Sequence, residues 1–154
     1  MKISILAVGL LKAGPEFELF QDYSKRFRGL GRSLGLSGID DLSVKAGGGL
    51  AREGASLIAK VPPDAAVLRL DEFGQSYRST DFAHRLARQR DEGVRELVFL
   101  IGGAEGYSDD VRDAFPETIA FGPQTWPHLI ARVLLAEQLY RAASILAGTP
   151  YHKA

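Results

Sequence analysis

The C-terminal segment of the chain carries several side chains that could bind a base or move a proton. Residues 149–153 read TPYHK, which places a phenol, an imidazole and an ammonium group close together. A base could stack on Tyr151, a proton could pass through His152, and Lys153 could contact phosphate. Chain ends are usually loose, but this one directly follows Gly148 and a buried helical pattern, which makes its position predictable. The segment is therefore a candidate substrate-binding tail.

A long helix is predicted immediately before the tail, over residues 128–146. The stretch contains no Gly or Pro, and Pro127 lies where a helix tolerates proline well. Its apolar residues lie nearly all the way round, which is typical of a helix buried on several sides. Charged or polar groups embedded in such a helix must be paired or used in function. The groups in question are His128, Arg132, Glu137, Arg141 and Ser144.

Two loops follow predicted strands, at the position where α/β proteins commonly bind ligands. Residues 101–106 read IGGAEG and lead into a helix, and glycines there let a ligand approach the backbone. Residues 121–127 read FGPQTWP and could fix a flat heterocycle, with Trp126 or Phe121 supplying apolar surface. Together with the polar turn after Leu70, the two loops are expected to outline one pocket.

The chain lacks the fingerprints of the common nucleotide and metal sites. G-x-G-x-x-G is absent, and residues 9–14 have the glycine spacing of a Walker loop but are followed by Pro15 instead of Lys. There is no Cys, and the three His residues lack metal-ligand spacing, so no metal is expected. Nineteen basic residues balance nineteen acidic ones, so binding to RNA would have to come from local basic patches.

The elements that position these groups predict an α/β fold with a mainly parallel sheet and helices on both faces. Residues 96–101 (ELVFLI) form the most continuous apolar run and are expected to be a central strand. Ser79 or Thr80 is expected to cap one helix and Ser108 another. The strands are predicted at residues 2–8, 39–44, 65–70, 96–101 and 118–121, and the helices at 16–28, 50–61, 79–92, 109–115 and 128–146.

The length and the absence of targeting signals indicate a simple organisation. A chain of 154 residues without a linker or an internal repeat is expected to form one domain, residues 1–154. No run of residues is apolar for long enough to span a membrane, and the N-terminus has no signal-peptide pattern. The expected location is the cytoplasm.

Three segments of the chain closely resemble one known family. They are LIGGAEG at residues 100–106, HLIARVLLAEQLYRA at 128–142 and PYHKA at 150–154. In combination they resemble the RlmH family, 23S rRNA pseudouridine N3-methyltransferases of the SPOUT superfamily. The likeness covers the whole chain, with KISILAVG at residues 2–9 and LDEFG at residues 70–74.

The resemblance implies a small α/β methyltransferase with a C-terminal trefoil knot, acting as a homodimer on 23S rRNA within the assembled ribosome. It implies S-adenosylmethionine as the cofactor, without a metal or a membrane. His152 is then expected to accept a proton, Tyr151 to arrange the base, and Arg141 or Lys153 to favour the deprotonated base. Cofactor contacts are expected at Leu70, Gly102, Gly103, Phe121, Gly122, Pro123, Gln124, Thr125 and Trp126.

Two other functions stay open at this point. One is a non-catalytic dimeric module that binds the ribosome or RNA, and the other is a SPOUT enzyme acting on tRNA, which the terminal Y-H-K disfavours. The sequence also leaves open whether Glu137 and Arg141 take part in catalysis or form a structural pair.

Overall fold

A five-stranded sheet, parallel throughout, forms the centre of the molecule in the computed structural model, which describes residues 1–153. Ala154, the last residue of the PYHKA match, lies outside the described residues. The strands are β1 (Lys2–Val8), β2 (Ile39–Val44), β3 (Ala66–Leu70), β4 (Glu96–Ile101) and β5 (Thr118–Ile119). Their order across the sheet is β2-β1-β4-β3-β5, so β4 is central, as its apolar run predicted.

Five α-helices cover the two faces of this sheet. They are α1 (Pro15–Gly31), α2 (Leu50–Lys60), α3 (Ser79–Asp91), α4 (Asp109–Ala114) and α5 (His128–Leu146), with a short 3₁₀ helix at Arg32–Leu34. Alternate residues of β4 point to opposite faces, as the two-residue period of a strand requires. Phe99 packs in one core with side chains of α1, α3 and α5, whereas Leu100 packs in a second core with side chains of α2 and α4. The predicted α/β fold with helices on both faces is thereby confirmed.

Helix α5 packs against α1 and α3 and lies over the sheet. Its predicted limits are confirmed to the residue, because an uninterrupted run of helix formers follows a proline that is tolerated at a helix start. Leu135 and Leu139 are fully buried in the first core, whereas other apolar side chains of α5 are only partly buried. Part of the apolar surface of α5 is therefore not covered within one chain.

Apart from single-residue shifts at one end of β3, α2, α3 and α4, three details of the structure differ from the sequence prediction. Neither Ser79 nor Thr80 caps α3: the N-cap is Arg78, and the Ser79 hydroxyl instead donates to Gln138 Oε1 of α5 at 3.1 Å. Strand β5 ends at Ile119, two residues earlier than predicted. After it, Ala120 forms one isolated bridge with Ser76, and the chain then turns away from β3. Helix α1 starts one residue earlier than predicted and runs three residues further. The predicted Ser108 cap is present, and its hydroxyl accepts from Val111 N.

Candidate active site

A cavity of about 720 Å³ opens at the carboxyl edge of the sheet. It is lined by the turn after β3, the glycine segment after β4, the loop after β5 and the first turn of α5. The two predicted loops do not follow neighbouring strands, because β3 lies between β4 and β5. The turn after β3 therefore forms the middle of the wall, and the three segments outline one cavity, as expected from the sequence.

Seven of the nine residues expected to contact the cofactor line this cavity. They are Leu70, Gly102, Gly103, Phe121, Gln124, Thr125 and Trp126. The other two, Gly122 and Pro123, do not line it. Gly122 has a φ of 92°, a conformation that favours glycine, so it serves the turn that carries Gln124 and Thr125 into the wall. The Thr125 hydroxyl donates to Glu72, which fixes this loop against the turn after β3.

The glycines after β4 are required by the close approach of the chain to itself. A Cβ at Gly102 would lie 2.8 Å from the carbonyl oxygen of Gly106, and one at Gly103 would lie 3.1 Å from the Glu53 carboxylate. The turn closes through a hydrogen bond of 3.0 Å from Gly106 N to Gly103 O. A side chain at Gly102 would therefore displace the backbone that lines the cavity.

Tyr107 is a site residue that the sequence analysis missed. Its buried hydroxyl lies 3.0 Å from the carbonyl oxygen of Leu70 and 2.7 Å from that of Leu100, near the ends of β3 and β4. Burial raises the pKa of the Tyr107 phenol well above its ordinary value, so the hydroxyl remains a hydrogen-bond donor at neutral pH. The available signal in the sequence was a tyrosine directly after the glycine segment.

A buried arginine supports the wall on the other side of Tyr107. The Arg69 guanidinium lies 5.1 Å from the Tyr107 ring centroid, and its Nε donates to Phe115 O at 2.6 Å. Its NH1 donates to Asp71 Oδ2 at 3.0 Å, while Asp71 Oδ1 accepts from Phe73 N at 3.1 Å. The carboxylate of Asp71 thus holds the turn after β3 in place. The side chain of Phe73 is 89% exposed beside the cavity.

The proposed catalytic residues Arg141, Tyr151 and His152 form a second cluster together with Glu137, here called the tail cluster. Glu137 Oε1 accepts from Arg141 Nε at 3.0 Å, from Arg141 NH2 at 2.5 Å and from the Tyr151 hydroxyl at 2.9 Å. The Arg141 guanidinium lies 4.8 Å from the Tyr151 ring centroid, and its NH1 lies 3.5 Å from His152 Nδ1. The tail is therefore anchored to α5 by specific contacts.

The contacts in the tail cluster limit the protonation states of its members. Hydrogen bonds to Glu137 raise the pKa of the Arg141 guanidinium, which stays charged. Burial, with further contributions from neighbouring groups, raises the pKa of the Tyr151 phenol well above its ordinary value. Tyr151 therefore keeps its proton at neutral pH and donates it to Glu137, so its phenol cannot act as a base. Glu137 accepts three hydrogen bonds on one oxygen and one from Gln138 on the other.

The tail cluster and the cavity are separate within one chain. His128 and Ala131 of α5 line the cavity, and Arg141 lies ten residues further along, which corresponds to about 15 Å of helix. Neither Tyr151 nor His152 lines the cavity. The expected cofactor contacts therefore lie together in the cavity, and the expected catalytic residues lie together in the tail cluster, away from it.

The charge of Arg132, embedded in α5, is paired in part, because two of its three nitrogens have partners and the buried NH1 has none within residues 1–153. Its side chain is 2% exposed, its Nε lies 3.6 Å from Asp41 Oδ1 of β2, and its NH2 donates to Gly9 O at 3.1 Å. Burial lowers the pKa of Arg132 and raises the pKa of Asp41. Arg132 thus links the first turns of α5, beside the cavity, to the middle of β2 and to the residue that follows β1.

Residues 1–153 carry neither a metal-binding cluster nor a membrane-spanning helix. No group of three or more His, Asp or Glu side chains there is arranged to hold a metal ion. No helix in that range combines the length and the apolar character needed to cross a membrane.

Comparison with known proteins defines the class of this chain. A family described as predicted SPOUT methyltransferase matches residues 1–152, and the chain belongs to that family. Among its relatives, a protein named Ribosomal RNA large subunit methyltransferase H from Hyphomonas neptunium is 56% identical over 154 residues, covering all of both chains. Proteins of the same name from Rhodopseudomonas palustris and Dinoroseobacter shibae are 49% and 48% identical, covering 100% and 99% of each chain. The resemblance drawn from the sequence is confirmed.

Proposed function

We propose that this chain is an S-adenosylmethionine-dependent methyltransferase that acts on N3 of one pseudouridine in the 23S rRNA of the assembled ribosome. The observation that carries the proposal is the 56% identity, from end to end, to a relative whose name specifies methylation of large-subunit ribosomal RNA. The geometry supports it, because a large cavity lies at the edge of the sheet where α/β proteins bind ligands.

The residues of the cavity fit S-adenosylmethionine. Its volume is within the range of small-molecule sites, and Leu70, Gly103 and Phe121 offer backbone groups and apolar surface for a flat adenine ring. Glu72 and Glu105 supply negative charge near a cofactor that carries a sulfonium and an ammonium group. When bound there, the cofactor would supply an electrophilic methyl group.

The trefoil knot is part of the proposal. The loop after β5 lies against the turn after β3 through Thr125 and Glu72, and β5 itself pairs with β3. Helix α5 then returns across the sheet to pack between α1 and α3. Contacts of this kind are those that a chain end threaded through the β3 turn would make. We take residues 1–154 as one domain built around this knot.

A homodimer would bring the tail cluster to the cavity. Ile130, Leu134 and Ile145 lie on the same side of α5 as Arg141 and are only partly buried, which leaves an apolar stripe uncovered. If two copies pack these stripes together in opposite directions, the tail cluster of one lies near the His128 end of the other. The tail of one subunit then covers the cofactor cavity of its partner.

Catalysis in this arrangement requires alignment and removal of one imide proton. The Tyr151 hydroxyl donates its proton to Glu137, so it arranges the base by accepting a hydrogen bond from it, and Arg141 and Lys153 favour the deprotonated form of the base. While Arg141 donates to His152 Nδ1, a neutral His152 carries its proton on Nε2 and cannot accept another there. His152 therefore becomes the proton acceptor when the Arg141 guanidinium turns from Nδ1 to the base. Glu137 holds both Arg141 and Tyr151 in position.

The substrate is expected to be recognised mainly by its shape. The chain has no net charge at pH 7, so long-range attraction to RNA is weak. Exposed basic side chains at the end of α1, Lys25, Arg28 and Arg32, form a local patch that can contact phosphate. An assembled ribosome offers the extended surface that such a small enzyme needs, and free rRNA is expected to be a poor substrate. This substrate places the enzyme in the cytoplasm.

Calorimetry with S-adenosylmethionine tests the proposal against the alternative of a non-catalytic ribosome-binding module. We expect one cofactor site per chain, lost in Gly103→Val, because a branched side chain would meet Glu53 and Val8 beside the cavity. Gly29→Val is the control, since a Cβ at Gly29 meets nothing within 4 Å. Retained ribosome binding with no cofactor binding by the unaltered chain would favour the module instead.

A further inference from the structure

The cavity wall carries one arginine whose charge is paired only at long range within the described part of the fold. The charged or titratable residues that line the cavity are Asp71, Glu72, Glu105, Tyr107, Arg112 and His128. Within residues 1–153, Arg112 is the single Lys or Arg side chain in that wall. It projects from α4 beside the glycine segment, and its side chain is 48% exposed.

Arg112 is held in place by one end of its guanidinium. Its Nε donates to Tyr107 O at 3.3 Å, directly at the end of the glycine segment. Its NH1 lies 3.9 Å from Asp71 Oδ2, which is too far for a hydrogen bond. The two terminal nitrogens therefore keep donor groups for a ligand in the cavity.

Asp71 does not need Arg112 as a partner. Its carboxylate already accepts hydrogen bonds from Arg69 NH1 at 3.0 Å and from Phe73 N at 3.1 Å. Arg69 is 5% exposed, so its interaction with Asp71 is weakly screened by water. The negative charge of Asp71 is thus balanced from within the fold, and Arg112 remains a cation available to an anionic group.

We infer that Arg112 binds the α-carboxylate of the methionine part of S-adenosylmethionine, a role that rests on the proposed function. The adenosine and the sulfonium of that cofactor carry no anionic group, so the carboxylate is the one part that an arginine recognises. A guanidinium with two free terminal nitrogens can bind a carboxylate in the bidentate manner that arginine favours. The methionine end of the cofactor then lies toward α4, and the adenosine end lies toward residues 121–126.

Calorimetry with two ligands tests this assignment. S-adenosylhomocysteine keeps the carboxylate, whereas 5′-methylthioadenosine lacks the whole amino-acid part. We expect Arg112→Gln to weaken binding of S-adenosylhomocysteine by about tenfold to a hundredfold, the range for a hydrogen bond to a charged group. Binding of 5′-methylthioadenosine should change by less than about twofold. Arg112→Lys should weaken binding of S-adenosylhomocysteine by less than Arg112→Gln does, because lysine keeps the charge but loses the bidentate geometry.

Arg88→Gln is the matched control, because Arg88 is exposed on α3 and does not line the cavity. Equal losses for both ligands in Arg112→Gln would overturn the assignment by indicating a distorted cavity. An unchanged affinity for S-adenosylhomocysteine would overturn it as well, and weaker ribosome binding in the same variant would then assign Arg112 to RNA phosphate. If the unaltered chain binds neither ligand, the proposed function fails, which is a distinct outcome.

Discussion

His152→Ala is expected to slow methyl transfer to ribosomes by about a hundredfold to ten-thousandfold, the usual contribution of a positioned acid or base. The substitution leaves the hydrogen bond from Tyr151 to Glu137 in place, so the tail stays anchored. A chain that ends at Pro150 should lose as much activity or more, because it lacks Tyr151, His152 and Lys153. Cofactor affinity should change little in His152→Ala, which keeps the tail in place, whereas the truncated chain loses the cover over the partner's cavity and is expected to bind the cofactor more weakly.

His84→Ala is the control for this experiment, because His84 is an exposed histidine on α3. Single-turnover methylation with saturating cofactor measures the chemical step separately from cofactor binding. Turnover near that of the unaltered chain in both His152→Ala and the truncated chain would contradict the role given to the tail.

Arg132→Met is expected to lower the free energy of unfolding by about 2–4 kcal/mol. Removing one partner of a buried ion pair leaves the other charge uncompensated, and the usual cost is about 3–5 kcal/mol. The side chain of Asp41 is 28% exposed, so water reduces that cost. The hydrogen bond to Gly9 O is also lost, whereas the methionine keeps most of the apolar stem.

The combination Arg132→Met with Asp41→Asn should recover part of the lost stability, because no unpaired carboxylate remains. Denaturant unfolding of the single and double variants gives the coupling energy between the two side chains. Additive losses, with no recovery in the double variant, would show that Arg132 stabilises the chain by packing and by its hydrogen bond to Gly9 O, and not through Asp41.

The stability deficit of Arg132→Met is also expected to depend on pH. Burial raises the pKa of Asp41, and removing the arginine takes away the charge that opposes this rise. A carboxyl group whose pKa is higher in the folded than in the unfolded state destabilises the fold as pH rises through that range. The deficit relative to the unaltered chain should therefore be smaller at about pH 4 than at about pH 7.

The sequence predicted the fold well where its patterns are local and strong. Strands β1, β2 and β4 and helix α5 match their predicted limits to the residue, because each is a regular run bounded by Gly, Pro or polar residues. The Ser79 prediction failed because the hydroxyl found a partner 59 residues away on α5, which no local pattern reveals. Local patterns also could not reveal the partner of Arg132, because Asp41 lies 91 positions earlier on the edge strand β2.

The candidate site was predictable in part for a similar reason. The loops that line the cavity are marked by glycine and proline, so seven of nine expected contact residues lie in its wall. Tyr107 and Arg112 were missed, because their importance comes from distances to Leu70, Leu100 and Asp71 across the fold. Glu137 was recognised as embedded, but its three hydrogen bonds from Arg141 and Tyr151 required the position of the tail.

Methyl transfer to ribosomes taken from cells that lack this chain tests the proposed function most directly. The purified protein is incubated with isotopically labelled S-adenosylmethionine and, in parallel, with assembled ribosomes, free rRNA or tRNA, and the nucleosides are then separated and analysed by mass spectrometry. The predicted result is label in one N3-methylpseudouridine of 23S rRNA, formed efficiently on assembled ribosomes and poorly on free rRNA. Label in tRNA, label on another atom, or no label in any RNA would contradict the proposed function.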